Sequence, residues 1–197
     1  MTQVLTFSPV LPVTRRKFTA SEYYIMLNAG VFHEDDRVEL IDGEIVEVPL
    51  ISPTHASHVM RAHYLLYPPL ERQTLLGIHN PLDLGNASQP QPDLMLLKSR
   101  EDFYSRAHPT PEDVLLLVEV ADATLEYDRN VKAPLYARTG VPELWIVNLP
   151  DRQLEIYRNP TPGGYGEHHW LKSGEAVTPS AFPDLTFAVD DMLGTAS

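Results

Sequence analysis

Two acidic residues lie against runs of apolar residues, where an unpaired charge is costly. Asp93 directly precedes the run 94–97 (LMLL). Glu119 interrupts a second run, 114–120 (VLLLVEV). Both runs are typical of short strands that are buried on both faces, and a buried carboxylate needs a compensating partner. If the two strands are neighbours, the two carboxylates can lie side by side. Their repulsion would then force one of them to stay neutral unless a cation lies between them.

A hard divalent cation would accommodate this pair of acids. Mg²⁺ is commonly held by one or two carboxylates and keeps several water ligands. Lys132 lies on the helix that is predicted to follow the Glu119 strand, from which its ammonium can point back over the acids. Asp128 precedes Lys132 by one helical turn, so we expect the two to share a helix face and to pair. A metal, a water molecule and an ammonium are the components that hydrolyse a phosphate ester.

The order of short motifs along the chain resembles a known family. The chain contains, in this order, VELIDGEIVE, SPTH, QPD, LLVEVAD followed by an Asp and a Lys, LYARTGVPELWIV and FPDL. This set is similar to the Uma-type family of restriction-endonuclease-like proteins, which belongs to the PD-(D/E)XK nuclease superfamily. The resemblance covers residues 18–193. It implies a metal-dependent endodeoxyribonuclease that uses Mg²⁺, with Mn²⁺ as a substitute, acts on DNA and, by analogy with restriction enzymes, forms a homodimer.

The resemblance also implies a role for each matching residue. The implied catalytic residues are Glu39, Asp93, Glu119 and Lys132. Of these, the second and third would bind the metal together with the backbone carbonyl of Val120. The motif expects a lysine at the position of Ala121, but in this family the lysine lies on the next helix, where this chain has Lys132. The residues that would contact the catalytic and metal-binding side chains without contacting the metal are His55, Gln91, Asp128 and Tyr136.

Two helices are predicted before the first buried strand. The first lies in FTASEYYIMLNAG, where Thr19 and Glu22 are spaced as a capping box and Gly30 provides a stop. The second covers residues 54–67 and should end or kink at the Pro68-Pro69 pair.

A third helix is predicted over 127–140, but it contains a proline. Pro134 lies two residues after Lys132, and proline fits a helix only in its first turn. Either this helix begins near Val131 or Lys132 lies at a kinked entrance to it.

Hairpins and a crossover complete the predicted fold. Asp42-Gly43 between two β-rich runs predicts a tight hairpin, on which Glu39 could also be an ordinary outward-facing residue. A strand is expected near 75–78. The strand–helix–strand pattern over 114–148 predicts a parallel crossover, and a hairpin follows around Pro150. The predicted class is α/β, a restriction-endonuclease-like mixed sheet flanked by helices, with additional β-hairpins.

Composition limits the organisation of the chain. With 197 residues, 43% of them hydrophobic, the chain suits one domain, predicted over 18–193 after an arm of residues 1–17. The first residues lack the basic start of a signal peptide, and no apolar run approaches the roughly 18 residues of a membrane span. The absence of cysteine rules out disulfides and thiolate zinc sites. We therefore expect a cytoplasmic protein without a membrane partner.

Each candidate residue also has a structural explanation. Asp93 could cap a turn, and Asp128 could be a helix N-cap. Glu119 could be the partner of a structural ion pair with Arg129 or Lys132. The histidines do not predict a metal site, because too few of them share one face of a predicted element.

Three functions remain open at this level. The acids and the resemblance favour a nuclease. The net charge of −12 is unusual for a nucleic-acid-binding protein, and together with Pro134 it favours a catalytically inactive nuclease fold that acts as a DNA-binding or protein-interaction module. A hydrolase of small phosphorylated molecules would also fit an acidic surface.

Overall fold

The computed structural model describes residues 14–33 and 35–194 of the chain. Residues 1–13 of the predicted N-terminal arm lie outside the described residues. The described part has an α/β fold with a mixed sheet, as the sequence predicts, and helices pack on both faces of that sheet. In these two ranges, no helix has the length and apolar character needed to cross a membrane.

The first helix, α1 (Ala20–Asn28), carries the predicted capping box. The Thr19 hydroxyl accepts a hydrogen bond from the Glu22 backbone N–H, and the Glu22 carboxylate accepts from the Thr19 backbone N–H. After the helix, Gly30 has a φ of 69°, the left-handed conformation that favours a helix stop. The predicted start and end of this helix are confirmed.

A two-stranded hairpin follows, formed by β1 (Val38–Ile41) and β2 (Glu44–Glu47). Its turn residues Asp42 and Gly43 have φ values of 50° and 76°, as a two-residue hairpin turn requires. A Cβ on Gly43 would lie 2.7 Å from the Cβ of Lys17, so this position tolerates only glycine. The predicted hairpin is confirmed, and it forms a sheet of its own.

Helix α2 runs over Pro53–Leu70 and is longer than predicted. The sequence predicted that the helix ends or kinks at the Pro68-Pro69 pair; it ends at Leu70, directly after the pair, and includes both prolines in its last turn. Leu66 and Leu70 are fully buried, so packing of this turn against the core outweighs the hydrogen bonds that the prolines cannot donate.

The main sheet has six strands in the described chain, in the order β3-β4-β5-β6-β7-β8. They are β3 (Thr74–Gly77), β4 (Leu94–Lys98), β5 (Val114–Ala121), β6 (Glu143–Asn148), β7 (Gln153–Thr161) and β8 (Gly164–Leu171). Strand β4 pairs antiparallel with β5, and β5 pairs parallel with β6. The strands that follow Asp93 and contain Glu119 are therefore neighbours, and the predicted crossover is confirmed.

The crossover between β5 and β6 is a helix with an irregular centre. It consists of α3 (Leu125–Tyr127), a π-helical turn (Asp128–Lys132) and α4 (Ala133–Thr139). The helix therefore begins well before Val131, and one of the two predicted alternatives was wrong. Pro134 lies in the first turn of α4, where the missing N–H is tolerated. The wider turn before it ends at Lys132 and lets the helix continue past the proline.

The core has two layers, one on each face of the main sheet. One layer packs against α2 and α5 (Val189–Leu193), and the other packs against the crossover helix. A short ladder of β9 (Ala176–Val177) and β10 (Phe187–Ala188) closes the described chain before α5. Leu117 and Ala121 belong to the crossover layer. Because side chains alternate along a strand, Glu119 faces this same layer.

Candidate active site

Five charged residues are buried together where β4 begins and β5 ends. They come from the hairpin, the start of β4, the end of β5 and the π-helical turn, and all are less than 10% exposed: Glu39, Asp93, Glu119, Asp128 and Lys132. The structure thus brings together the four residues that the sequence proposed as catalytic. Burying this many charges is costly unless they pair or bind an ion.

Lys132 is the cation at the centre of this cluster. Its Nζ donates to Glu39 Oε1 at 3.3 Å and to Glu119 Oε1 at 3.2 Å. Burial by itself would lower the pKa of Lys132, but the neighbouring carboxylates, Glu119 first, raise that pKa well above its ordinary value. The neighbouring carboxylates therefore favour the charged form of this buried lysine. The lysine alternative for a structural ion pair of Glu119 is present in the structure.

Glu119 has a partner on each carboxylate oxygen. The Tyr136 hydroxyl donates to Oε1 at 2.7 Å, and the Asp93 backbone N–H donates to Oε2 at 3.3 Å. Burial raises the pKa of Glu119 to about 8, with Lys132 opposing the rise and Asp93 adding to it. Burial and the neighbouring Asp93 therefore favour the protonated form of Glu119, whereas the Lys132 ammonium favours the anion.

Asp93 is held as an anion. Its Oδ2 accepts from the Val120 backbone N–H at 2.7 Å and lies 3.0 Å from His55 Nε2. Its Oδ1 lies 3.1 Å from His79 Nε2. Burial acts to raise the pKa of Asp93, but the hydrogen bonds from the two histidines and from Val120 bring it well below its usual range. Asp93 does more than cap a turn, because its carboxylate reaches three separate segments.

His79 is the site residue that the sequence did not indicate. It lies just after β3 and has no motif around it. The antiparallel register pairs Gly77 with Met95, so the residues two positions further out, His79 and Asp93, face each other. The His79 backbone N–H also donates to the Pro92 carbonyl at 3.1 Å. Pairing of β3 with β4 was the only signal that could have identified this residue.

Glu39 joins the cluster from the separate hairpin. It pairs with Val46 across the hairpin, and its Oε1 accepts from the Gln91 backbone N–H at 3.0 Å in addition to Lys132. Its Oε2 is buried and has no hydrogen-bond partner in the described residues. Glu39 therefore does not face outward, and one of its oxygens is free to bind a ligand.

The expected pairing of Asp128 with Lys132 was wrong. Asp128 Oδ2 instead accepts from the Thr124 hydroxyl at 2.7 Å, while the ammonium turns to the two glutamates. The spacing rule that predicted the pair applies to an α-helix, and these residues lie on a π-helical turn. Asp128 is inside the helix, so the N-cap alternative was also wrong. Burial raises the pKa of Asp128 to about 6, although Lys132 acts against this.

Arg129 belongs to a different ion pair. Its guanidinium donates to Glu155 Oε1 at 2.5 Å, on strand β7. The arginine alternative for a structural ion pair of Glu119 was therefore wrong. Of the other histidines, His58 contacts the backbone carbonyls of Thr54 and Leu193, so it has a structural role.

The cluster contains more acid than base, and this fits a bound cation. In the described chain no three His, Asp or Glu side chains surround one point as a ready-made metal site. Asp93 and Glu119 nevertheless lie together, and the free Oε2 of Glu39 is a further oxygen donor. One ammonium does not balance four carboxylates. Oxygen donors of this kind suit Mg²⁺, which needs only one or two carboxylates beside its water ligands.

The cluster opens into a cleft of about 310 Å³. Its walls come from the hairpin, the segment before α2, and the loop between β5 and α3. The cleft contains the acids, Lys132 and His55 at its floor, and Arg37 and Leu50 along its wall. Chemically, the cleft offers carboxylate oxygens, one ammonium and one guanidinium to a ligand.

Comparison with known proteins agrees with this geometry. Residues 20–190 match the Uma2 family, described as "Putative restriction endonuclease". Among curated proteins, no relative matches. A solved structure, that of a "putative nuclease belonging to DUF820" from Anabaena variabilis ATCC 29413, superposes with a TM-score of 0.65 at 15% identity, covering 89% of this chain and 97% of that one. At this identity the superposition shows a shared fold only, whereas the family match supports a nuclease-like function. Because the match spans nearly the whole described chain, this protein belongs to the Uma2 family of restriction-endonuclease-like proteins.

Proposed function

We propose that this protein is a metal-dependent endodeoxyribonuclease that hydrolyses phosphodiester bonds in DNA. The observation that carries the proposal is the buried cluster of Glu39, Asp93, Glu119 and Lys132 at the floor of the cleft. A structural ion pair needs one acid for one lysine. The surplus of acid, with one unpaired oxygen, is better explained by a site that takes up a cation and a phosphate.

Mg²⁺ is the proposed ion, and Mn²⁺ should substitute for it. Asp93 and Glu119 would hold the ion together with the backbone carbonyl of Val120. The Val120 N–H points to Asp93, and in an extended strand the carbonyl of a residue points to the same side as its N–H. The ion, when bound, supplies positive charge that polarises the phosphate and makes a nearby water more acidic.

The residues around these ligands have separable tasks. Lys132 would stabilise the negative charge that develops on the phosphate. Tyr136 holds Glu119, and His55 holds Asp93, each through a direct contact. Gln91 holds Glu39 through its backbone N–H. Asp128 contributes negative charge behind Lys132. Since these contacts fix the side chains before substrate binds, little reorganisation remains for the reaction.

A catalytically inactive module is the second candidate. Every oxygen of Asp93 already has a protein partner, and the net charge is −12. Both would suit a nuclease fold that binds a partner without cutting.

A small-molecule phosphodiesterase is the third candidate. The absence of cysteine is compatible with work in a reducing cytoplasm for any of the three.

A cleavage assay distinguishes these functions. Plasmid and oligonucleotide DNA are incubated with wild type in Mg²⁺, Mn²⁺ or EDTA, beside Asp93→Asn and the matched surface variant Asp184→Asn. Cleavage by wild type and Asp184→Asn, absent in Asp93→Asn and in EDTA, supports the nuclease. Equal background in all samples supports the inactive module. Turnover of a small chromogenic phosphodiester without DNA cleavage supports the third candidate.

A homodimer is proposed by analogy with enzymes that cut both strands of a duplex. Light scattering at micromolar concentration tests it, and a monomeric mass would contradict it.

A further inference from the structure

We propose that Arg37 and the apolar residues Leu50 and Ile51 form a subsite for one unpaired nucleotide next to the scissile phosphate. The guanidinium binds the phosphate of that nucleotide, and the two apolar side chains lie against its base. This inference rests on the proposed nuclease function and goes beyond it by naming the substrate class, a single strand or an unpaired end.

Arg37 is placed to meet a phosphate beside the catalytic cluster. The Val48 N–H donates to the Arg37 carbonyl at 2.9 Å, so the hairpin pairing extends to this residue. Because side chains two apart share a strand face, Arg37 lies on the same face as Glu39, roughly 7 Å further along the strand. Both residues line the cleft.

The Arg37 guanidinium uses only part of its hydrogen-bond donors within the described chain. One N–H group donates to the Pro49 carbonyl at 2.6 Å, and no carboxylate in the described ranges lies within ion-pair distance of it. An arginine has five N–H donors in a fork that matches phosphate oxygens. Several other arginines are engaged with acids, as Arg129 is with Glu155. Arg37 is therefore available for an anionic ligand.

The apolar side of the subsite is the segment between β2 and α2. Leu50 is 82% exposed and Ile51 is 39% exposed, and both line the cleft. Ile51 also borders an apolar depression of about 220 Å³ between α2 and the turn after β3. Exposed apolar surface that continues from a polar cleft marks a ligand site, and an aliphatic side chain can pack on the face of a base.

The charge of the protein favours an unpaired strand over a duplex. Tight binding to a duplex draws on many phosphate contacts, but the protein carries a net charge of −12, and acids dominate the cleft. With few phosphate contacts available, contacts to a base must supply the affinity. The faces of bases are accessible only where the strand is unpaired.

The test is a binding measurement in EDTA, so that no metal-dependent cleavage takes place. Fluorescence anisotropy compares a labelled single-stranded oligonucleotide with the duplex of the same sequence, over a range of salt concentrations. Wild type should bind the single strand at least ten-fold more tightly. Arg37→Ala should weaken binding and reduce the slope of log affinity against log salt by about 0.7, the value for one lost phosphate contact on a single strand. Arg37→Lys should restore this slope.

Two controls separate the parts of the subsite. Arg72 lies beyond the far end of α2, roughly 25 Å from the cleft by helix length, and Arg72→Ala should leave the slope unchanged. Leu50→Ser should weaken binding several-fold with no change in slope, whereas Ile25→Ser, an exposed apolar residue on α1, should have no effect.

The outcomes distinguish this inference from the proposed function. An unchanged slope in Arg37→Ala, equal or tighter binding of the duplex, or no binding of DNA by wild type would overturn the subsite. If wild type cuts DNA and any of these results is found, the nuclease stands without the subsite. If the predicted slopes and preference are found but wild type never cuts, the subsite stands and the nuclease proposal fails.

Discussion

Lys132 Nζ lies 3.2 Å from Oε1 of Glu119, and both side chains are almost completely buried. The same ammonium reaches Glu39 at 3.3 Å, so one lysine compensates two acids. Removing a buried charge leaves its partners without compensation, which typically costs about 3–5 kcal/mol. The lysine therefore stabilises the fold, in addition to the catalytic role proposed for it.

Lys132→Met should destabilise the metal-free protein by about 3–5 kcal/mol and abolish activity. Because methionine keeps most of the side-chain volume of lysine, the loss of unfolding free energy measures the effect of the missing charge and not a change in packing. Chemical denaturation in EDTA measures it, with the exposed Lys172→Met as control. A variant as stable as wild type would show that the two glutamates do not depend on the ammonium for compensation.

Glu119→Gln should change how stability depends on pH. The pKa of Glu119 is about 8 in the folded protein, against an ordinary value of 4.5. Between these two pH values the folded state holds a proton that the unfolded chain has released. The unfolding free energy of wild type therefore falls as pH rises through this window. Glutamine has no such proton, so the unfolding free energy of the variant should not fall in this window. Relative to wild type, the variant should therefore become more stable as pH rises, by on the order of a few kcal/mol at pH 8.

Denaturation curves at several pH values from 5 to 8 measure this difference, with the exposed Glu112→Gln as control. Parallel curves for wild type and Glu119→Gln would mean that Lys132 keeps Glu119 ionised throughout.

Mn²⁺ should raise the melting temperature of wild type. A ligand that binds only the folded state at 100 times its dissociation constant stabilises by about 2.7 kcal/mol. Asp93→Asn and Glu119→Gln each remove a proposed ligand and should lose this response, whereas Lys132→Met should keep it. Differential scanning fluorimetry in EDTA and in Mn²⁺ is sufficient. An equal shift in all variants would overturn the metal site and leave a structural ion-pair cluster.

Pro134→Ala should separate activity from stability. Alanine can donate the N–H that proline lacks, so the π-helical turn before it can relax towards a regular α-helix. This would move Lys132, and a displacement of about 1 Å at a catalytic group can cost up to about 100-fold in rate. Melting temperature should stay the same or rise. Full activity would show that the turn is not what positions the lysine. Pro162→Ala, in an exposed turn, is the control.

The sequence alone was sufficient to predict features that depend on neighbouring residues in the chain. The capping box at Thr19, the turn at Asp42-Gly43 and the acids against apolar runs are all determined by neighbouring residues, and each is present as predicted. Lys132 was singled out by its place on the helix predicted after the Glu119 strand, and the family resemblance then gave it the role of the motif's lysine, whose usual position here holds Ala121.

The predictions failed where tertiary packing or an irregular turn determines the length of a helix or the contacts of a side chain. Burial of Leu70 extends α2 through two prolines, and no local rule includes that burial. The π-helical turn changes which residues share a helix face, so Asp128 does not form an ion pair with Lys132. His79 reaches Asp93 only through the register of β3 on β4, which single-sequence patterns do not reveal. The metal, the DNA substrate and the dimer stay predictions.

The separate hairpin has a consequence for the newly synthesised chain. Glu39 and Lys132 are 93 residues apart in sequence, and the hairpin reaches the cluster through side chains and isolated contacts, with no strand shared with the main sheet. The charged cluster cannot exist until Lys132 has left the ribosome and the hairpin has docked. A fragment released early by interrupted translation would lack a working site, so the cell's own DNA would meet only completed copies of such an enzyme.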